Sequence, residues 1–164
     1  LYLLGQTSVL TSQGVPFIWC GEEVMRDKKG VHNSFCSPDE INAIDWSLKA
    51  KNKTVFDFYC QLIALRKAHP AFHMGSAALI KENLTFLDAP ELCVAFHINA
   101  VAVNDTWKEV IVILNANREV ITLPVEGEWE TAMANDVIDL NNSLGFVENK
   151  VTVAPETATI LYRK

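Results

Sequence analysis

Apolar positions recur at helical spacing in two places. Leu3, Leu4, Thr7, Leu10 and Thr11 predict a helix over residues 1–11, with Ser12, Gln13 and Gly14 as its stop. Val55, Phe58, Tyr59, Leu62, Ile63 and Leu65 form a broader stripe, predicting a helix that opens at the capping-box-like Thr54 and Asp57 and closes at Pro70. Arg66, Lys67 and His69 crowd its last turn, where cations favour the helix dipole. Between the two helices, residues 15–20 are an apolar run bounded by Gly14 and Gly21, which predicts a short strand buried on both faces.

Residues 21–46 have no clean period and are rich in turn formers, among them Gly30, Asn33, Ser34, Ser37, Pro38 and Asp39. A loop of this length is usually functional, and it leaves the carboxyl end of the predicted strand, where α/β proteins build their sites. After Gly75 the pattern changes. Residues 77–81, 91–99, 109–115, 119–124, 129–134, 150–153 and 157–162 are short β-branched-rich runs, predicted as strands with no helix between them. The alternation on either side of Ala154, Pro155 and Glu156 predicts a hairpin. The expected organisation is therefore an α/β piece over residues 1–74 and an all-β antiparallel sandwich over residues 75–164, with the boundary at 73–76.

Composition narrows the function classes. The 164 residues, 49% apolar, suffice for one good core or two small ones. A formal charge of -6 without any basic run argues against a nucleic-acid partner or an anionic membrane surface. The apolar runs fall far short of the roughly 18 residues that span a bilayer. Cys20, Cys36, Cys60 and Cys93 form no Cys-x-x-Cys motif, and none of His32, His69, His73 and His97 lies at ligand spacing from a cysteine. His69 and His73 are interrupted by Pro70. Neither a metal nor another cofactor is expected, and Cys20, Cys60 and Cys93 read as buried thiols. Glycosylation sequons occur at Asn52, Asn83, Asn104 and Asn141. Without an initiator Met, and starting inside a helical pattern, the chain reads as a piece of a longer protein whose compartment stays open.

A family resemblance rests on the longest motif. Residues 10–23, followed by Arg26-Asp-Lys28, Gly30, Asn33-Ser-Phe35, residues 37–42 and Ile44-Asp-Trp46, closely resemble the last barrel strand and following loop of type I pullulanases. These are starch-debranching members of the α-amylase superfamily, glycoside hydrolase family 13. Residues 62–72 look like the helix that ends the catalytic barrel, and residues 112–117 with 151–161 are similar to the β-domain that follows it. The resemblance implies the last helix-strand-helix of a TIM-type (β/α)8 barrel followed by the β-sandwich. The family cleaves α-1,6 linkages in pullulan and branched α-glucans with retention, using a nucleophilic Asp, an acid/base Glu and a second, stabilising Asp. Those three sit on earlier barrel strands, and no segment here matches their motifs. A retaining reaction needs its two carboxyl groups about 5 Å apart, so no catalytic residue is assigned and the chain alone is expected to be inactive. Its expected partners are the rest of the parent barrel and, in the intact enzyme, the α-glucan.

The resemblance implies five substrate-side residues. Glu23 matches the strand-end acid and would orient a network at the barrel mouth, or act only as a structural partner of Arg26 or Lys28. Arg26, Lys28, Asn33 and Phe35 match loop positions near the cleft, where they would bracket sugar hydroxyls or stack on a pyranose, or simply fold the loop. Phe35 stands where the family usually has Tyr. Asp39 and Asp45 read as structural, Trp46 as a plug under the loop, and Trp107 and Trp129 as packing residues. The alternative function is a stand-alone carbohydrate-binding or interaction module built on the sandwich. For an isolated piece, three outcomes are expected for the amino-terminal part: packing back on the sandwich, self-association or partial disorder.

Overall fold

The computed structural model describes residues 1–141 and 143–164. The sequon at Asn141 includes Asn142, which lies outside the described residues. Helix α1, Tyr2–Thr11, buries Leu4, Thr7, Leu10 and Thr11 on one face. The two buried threonines satisfy their hydroxyls four residues back: Thr7 Oγ1 donates to the Leu3 carbonyl at 2.9 Å and Thr11 Oγ1 to that of Thr7 at 2.8 Å. Two short helices follow, α2 (Asp39–Asn42) and α3 (Ser47–Lys51), and then the long α4 (Lys53–Ala68), which lies against α1. Helix α4 begins at Asn52 rather than at a Thr54 capping box. Its Arg66 is not at the service of its own helix end. The guanidinium donates to the carbonyls of Leu10, Ser12 and Gly14 at 2.9, 2.7 and 2.6 Å, and so closes α1.

Residues 77–81, expected as a strand, belong instead to helix α5, Ala77–Asn83. Ser76 Oγ accepts from the Leu79 N–H at 3.2 Å, and this N-cap, with Ala and Leu behind it, favours helix over strand. Among the described residues the β-part has seven antiparallel strands: β1 (Leu84–Leu87), β2 (Cys93–Asn99), β3 (Glu109–Asn115), β4 (Ile121–Ala134), β5 (Val137–Ile138), β6 (Phe146–Val153) and β7 (Ala158–Arg163). Their order is β1-β2-β3-β7-β4-β5, with β6 on β4. The expected strands 119–124 and 129–134 are therefore one strand. The expected hairpin at 154–156 is not formed, because β6 pairs with β4 while β7 enters between β3 and β4. Alternation marks a strand but carries no information about its partners.

Strand β4 is shared between two layers. From the Pro124–Lys150 pair to the Glu128–Glu148 pair it advances four residues while β6 advances two, and Gly127 turns the bulge at φ 72°. The bend folds Ile121, Leu123 and Val125, with Val151 and Val153 of β6, over Ala95, Ile111, Ile113 and Leu161 of the main sheet. The opposite face of that sheet, carrying Phe96, Ile98, Val110, Val112 and Ile160, receives Leu4, Leu10, Phe58, Leu62 and Phe72 from the helical part. Each fully buried side chain of this size contributes about 1.5–3 kcal/mol. The helices of the amino-terminal part thus pack against the sheet, whereas residues 15–20 stay uncovered. Trp107 and Trp129 are buried, as packing residues.

Residues 15–20 depart most from expectation. They form no strand ladder among the described residues, and Val15 is 96% and Phe17 80% exposed. A strand buried on both faces takes its hydrogen bonds from neighbours on either side, and the seven strands here pair with one another instead. The thiols differ too: Cys20 and Cys60 are exposed and Cys93 is half-buried, with burial pushing its pKa up. Cys20 lies in the unpaired segment and Cys60 on the outer side of α4.

Candidate functional site

Residues 21–46 are held from below by three anchors. Val24 is fully buried, its carbonyl accepts from Asn52 Nδ2 at 2.8 Å, and the Glu22 carbonyl accepts from Tyr2 Oη at 2.5 Å. Gly21 enters the loop at φ 99°, and a Cβ there would lie 2.7 Å from Arg26 Cδ. Only glycine satisfies both conditions. The Glu23 carboxylate turns back to accept from the Gly21 N–H at 3.0 Å. It is thus a turn-forming acceptor, and this bond, not a contact with Arg26 or Lys28, is what fixes it.

Arg26 and Lys28 converge on Trp19 and Asn42. The Arg26 guanidinium carbon lies 5.0 Å and the Lys28 ammonium 5.4 Å from the Trp19 ring centroid. Arg26 donates to the Cys20 carbonyl at 3.3 Å and to the Asn42 carbonyl, while Lys28 Nζ donates to Asn42 Oδ1 at 2.6 Å. Partial burial, and after it the adjacent Arg26 charge, lower the Lys28 pKa. The Asn42 amide donates in turn to the carbonyls of Ser34 and Ser37 at 2.8 and 2.7 Å. Asn42 therefore ties both cations to the segment that carries Asn33 and Phe35. Asn33 Oδ1 accepts from the Phe35 N–H at 3.2 Å in a local turn, and the Phe35 ring is 89% exposed.

The five expected residues thus fall into a braced group, Arg26 and Lys28, a turn residue, Glu23, and an outward pair, Asn33 and Phe35. Asn42 and Trp19 were missed as site residues. Asn42 sits inside the quoted motif, but one residue serving three partners through its side chain and Arg26 through its carbonyl is a three-dimensional fact. Asp45 is a turn residue just before α3: it accepts from the Ser47 N–H at 2.9 Å, and the Ser47 hydrogen bonds hold its carboxyl below the ordinary range. Trp46 is not a plug, since its ring is 62% exposed. A cleft of about 280 Å³ opens on the loop between Arg26, Lys29, Glu40 and Asp45. Donors and acceptors of both signs around this cleft suit a hydroxylated ligand.

Residues 80–136 match the family model for the pullulanase all-beta domain. A pullulanase of Bacillus subtilis is 40% identical over 134 residues, 82% of this chain and 18% of its own length. The chain fits the C-terminal part of a pullulanase. Among solved structures, the pullulanase from Bacillus acidopullulyticus superposes with a TM-score of 0.94 at 44% identity, over 99% of this chain and 20% of that one. The type I pullulanase of B. subtilis in complex with maltose does so with a TM-score of 0.92 at 32% identity, over 99% and 23%. These values span the helical part and the β-part together, so the chain covers about a fifth of the length of the pullulanases it matches. It is related to debranching glycoside hydrolases.

Proposed function

We propose that the chain is the C-terminal part of a debranching glycoside hydrolase acting on α-1,6 linkages of pullulan and branched α-glucans. In this reading residues 1–74 complete a (β/α)8 barrel, with 15–20 as its last strand, and residues 75–164 are the sandwich domain that steadies it. The loop 21–46 is one wall of the substrate cleft. Arg26 and Lys28, braced by Asn42, offer donors to sugar hydroxyls, Glu23 keeps the turn that aims them, and Asn33 and Phe35 face the ligand. The observation that carries this reading is the bracing itself. Two cations held on one asparagine beside an exposed Phe35 form a prepared polar surface, in a segment similar to a pullulanase that binds maltose.

The exposed apolar face of 15–20 supports the same reading, because a strand with bare Val15 and Phe17 suits a place between other barrel strands. The chain supplies the wall and not the acids, so it should not hydrolyse pullulan by itself. Incubating the purified chain with pullulan and measuring reducing ends tests this; turnover comparable to a debranching enzyme would overturn it. Restoring activity by mixing the chain with the preceding part of a pullulanase would support it directly.

A further inference from the structure

Residues 15–20 present two different faces. Pro16 and Ile18 are half-buried, and Ile18 packs on the core that the helical part shares with the sheet. Val15, Phe17 and Trp19 lie on the opposite face, as alternation along an extended chain requires. Val15 and Phe17 are largely bare, but the exposure of Trp19 falls to 40%. The loop makes the difference. Arg26 and Lys28 lie over the Trp19 ring, and the Glu22 N–H donates to the Trp19 carbonyl at 3.0 Å, which fixes the ring beneath the start of the loop. Neither cation has an anionic partner: among the described residues no carboxylate forms an ion pair with Arg26 or Lys28. Glu23 and Asp27, their neighbours in sequence, accept from the Gly21 and Lys29 N–H groups instead. Two like charges that repel each other are therefore faced only by neutral acceptors, on Cys20 and Asn42, and by the indole. Arg26 Nε is buried with no acceptor at all.

We propose that Trp19 is a positioning residue for this loop: its indole face keeps Arg26 and Lys28 together without consuming their N–H groups. The inference rests on the reading of the loop as a wall of an α-glucan cleft and names the group that prepares that wall. A carboxylate in the place of the ring would hold the two cations through charge-assisted hydrogen bonds and so occupy the donors. An aromatic face attracts a cation through its quadrupole and leaves those donors free. An ammonium has three N–H groups, and Lys28 gives one of them to Asn42. The other two remain for sugar hydroxyls. Trp19 thus acts through Arg26 and Lys28, and its role needs no contact with the glucan itself.

The test uses nuclear magnetic resonance of the full 164-residue chain without glucan. Lys28 is identified by the signals lost in Lys28→Arg, and the Asn42 side-chain amide by those lost in Asn42→Asp. In the unsubstituted chain the Lys28 side-chain protons should lie upfield of those of exposed Lys67, because the indole ring current shields them. Their absence from that position overturns the proposal, whether or not any Trp19 variant folds. In Trp19→Leu the Asn42 amide protons should exchange with solvent about threefold faster as the cations leave, the factor that corresponds to one partly exposed cation–π contact. Trp19→Phe, which keeps a ring face, should recover most of the protection. Exchange as slow in Trp19→Leu as in the unsubstituted chain, or as fast in Trp19→Phe as in Trp19→Leu, would overturn the role of the ring. Maltohexaose added afterwards separates this inference from the reading it rests on. A Lys28 shift that Trp19→Leu abolishes and Trp19→Phe restores supports both, whereas an intact ring effect with no glucan shift counts against the cleft wall and leaves the hold of Trp19 on the two cations standing.

Discussion

His69 Nδ1 lies 2.8 Å from Asp105 Oδ1, and this bond fastens the end of α4 to the turn that leads into β3. An ionised carboxylate only accepts, so Nδ1 carries the hydrogen. The same carboxylate accepts from the Trp107 N–H at 2.9 Å and the Ala71 N–H at 3.0 Å. The His69 ring stacks on Trp107 at 3.5 Å between centroids, and Trp107 on Tyr162 at 4.2 Å. Tyr162 Oη then donates to Glu130 at 2.7 Å, so one continuous set of contacts runs from α4 to β4.

Asp105→Ala strips three buried N–H groups of their acceptor. It should cost roughly 3 kcal/mol, and Asp105→Asn, which keeps an oxygen but loses the charge, about half as much. Urea unfolding measures both. A loss near zero for the alanine variant would mean that the two parts are held by apolar packing alone.

The same group sets the acid limb of stability. Burial works against ionised Asp105, but the bonds from His69, Trp107 and Ala71 and the His69 charge outweigh it and hold its pKa below the ordinary value. The folded state therefore binds this proton more weakly than the unfolded state. Its contribution is complete above the unfolded pKa of about 3.9 and is lost as pH falls through the lowered folded value. Tyr162 is the mirror case. Burial, followed by the bond to Glu130, pushes its pKa up to about 12. Its contribution is complete below the unfolded pKa of about 10 and is lost as pH rises through 12. Unfolding midpoints measured across pH should show both limbs, with Asp105→Asn flattening the first and Tyr162→Phe the second.

Arg66→Ala leaves the Leu10, Ser12 and Gly14 carbonyls without their shared donor. The expected loss is about 2–3 kcal/mol, and Arg66→Lys should recover less than half of it, because one ammonium cannot reproduce the guanidinium fork. Hydrogen exchange should quicken first in the last turn of α1. Unchanged protection there would show that the helix end is held by other contacts.

Gly21→Ala forces a side chain into a left-handed backbone and against Arg26. The strain, about 1–3 kcal/mol, should fall on the loop rather than on the core. Trp19 emission should change as Arg26 and Lys28 leave its ring, while the unfolding midpoint moves little. An unaltered Trp19 signal would place the two cations elsewhere in solution.

How much of this was legible depended on whether a signal is local. Helix α1 could be read from Leu4, Thr7 and Leu10 because spacing and burial coincide there, and β3 from Val110 to Ile113 because both its faces are buried. Strand β1 could not, since it is a sheet edge with Phe86 pointing outward, and nothing about an exposed edge alternates. Helix α5 spans only seven residues, too few for a helical period to stand out, and the Ser76 N-cap is its one local signal. At the candidate site the motif located Arg26, Lys28, Asn33 and Phe35. It could not reveal that Asn42 joins them, because that junction spans 16 residues between Arg26 and Asn42 and exists only once α2 is formed.

Strand β7 follows every other strand in the chain yet sits between β3 and β4. During synthesis, β3 and β4 must wait with a vacant slot between them, their inward edges unpaired, until residues 158–163 have left the ribosome. The sheet is therefore continuous only through its last strand, and a chain cut before Ala158 would leave the facing edges of β3 and β4 unpaired.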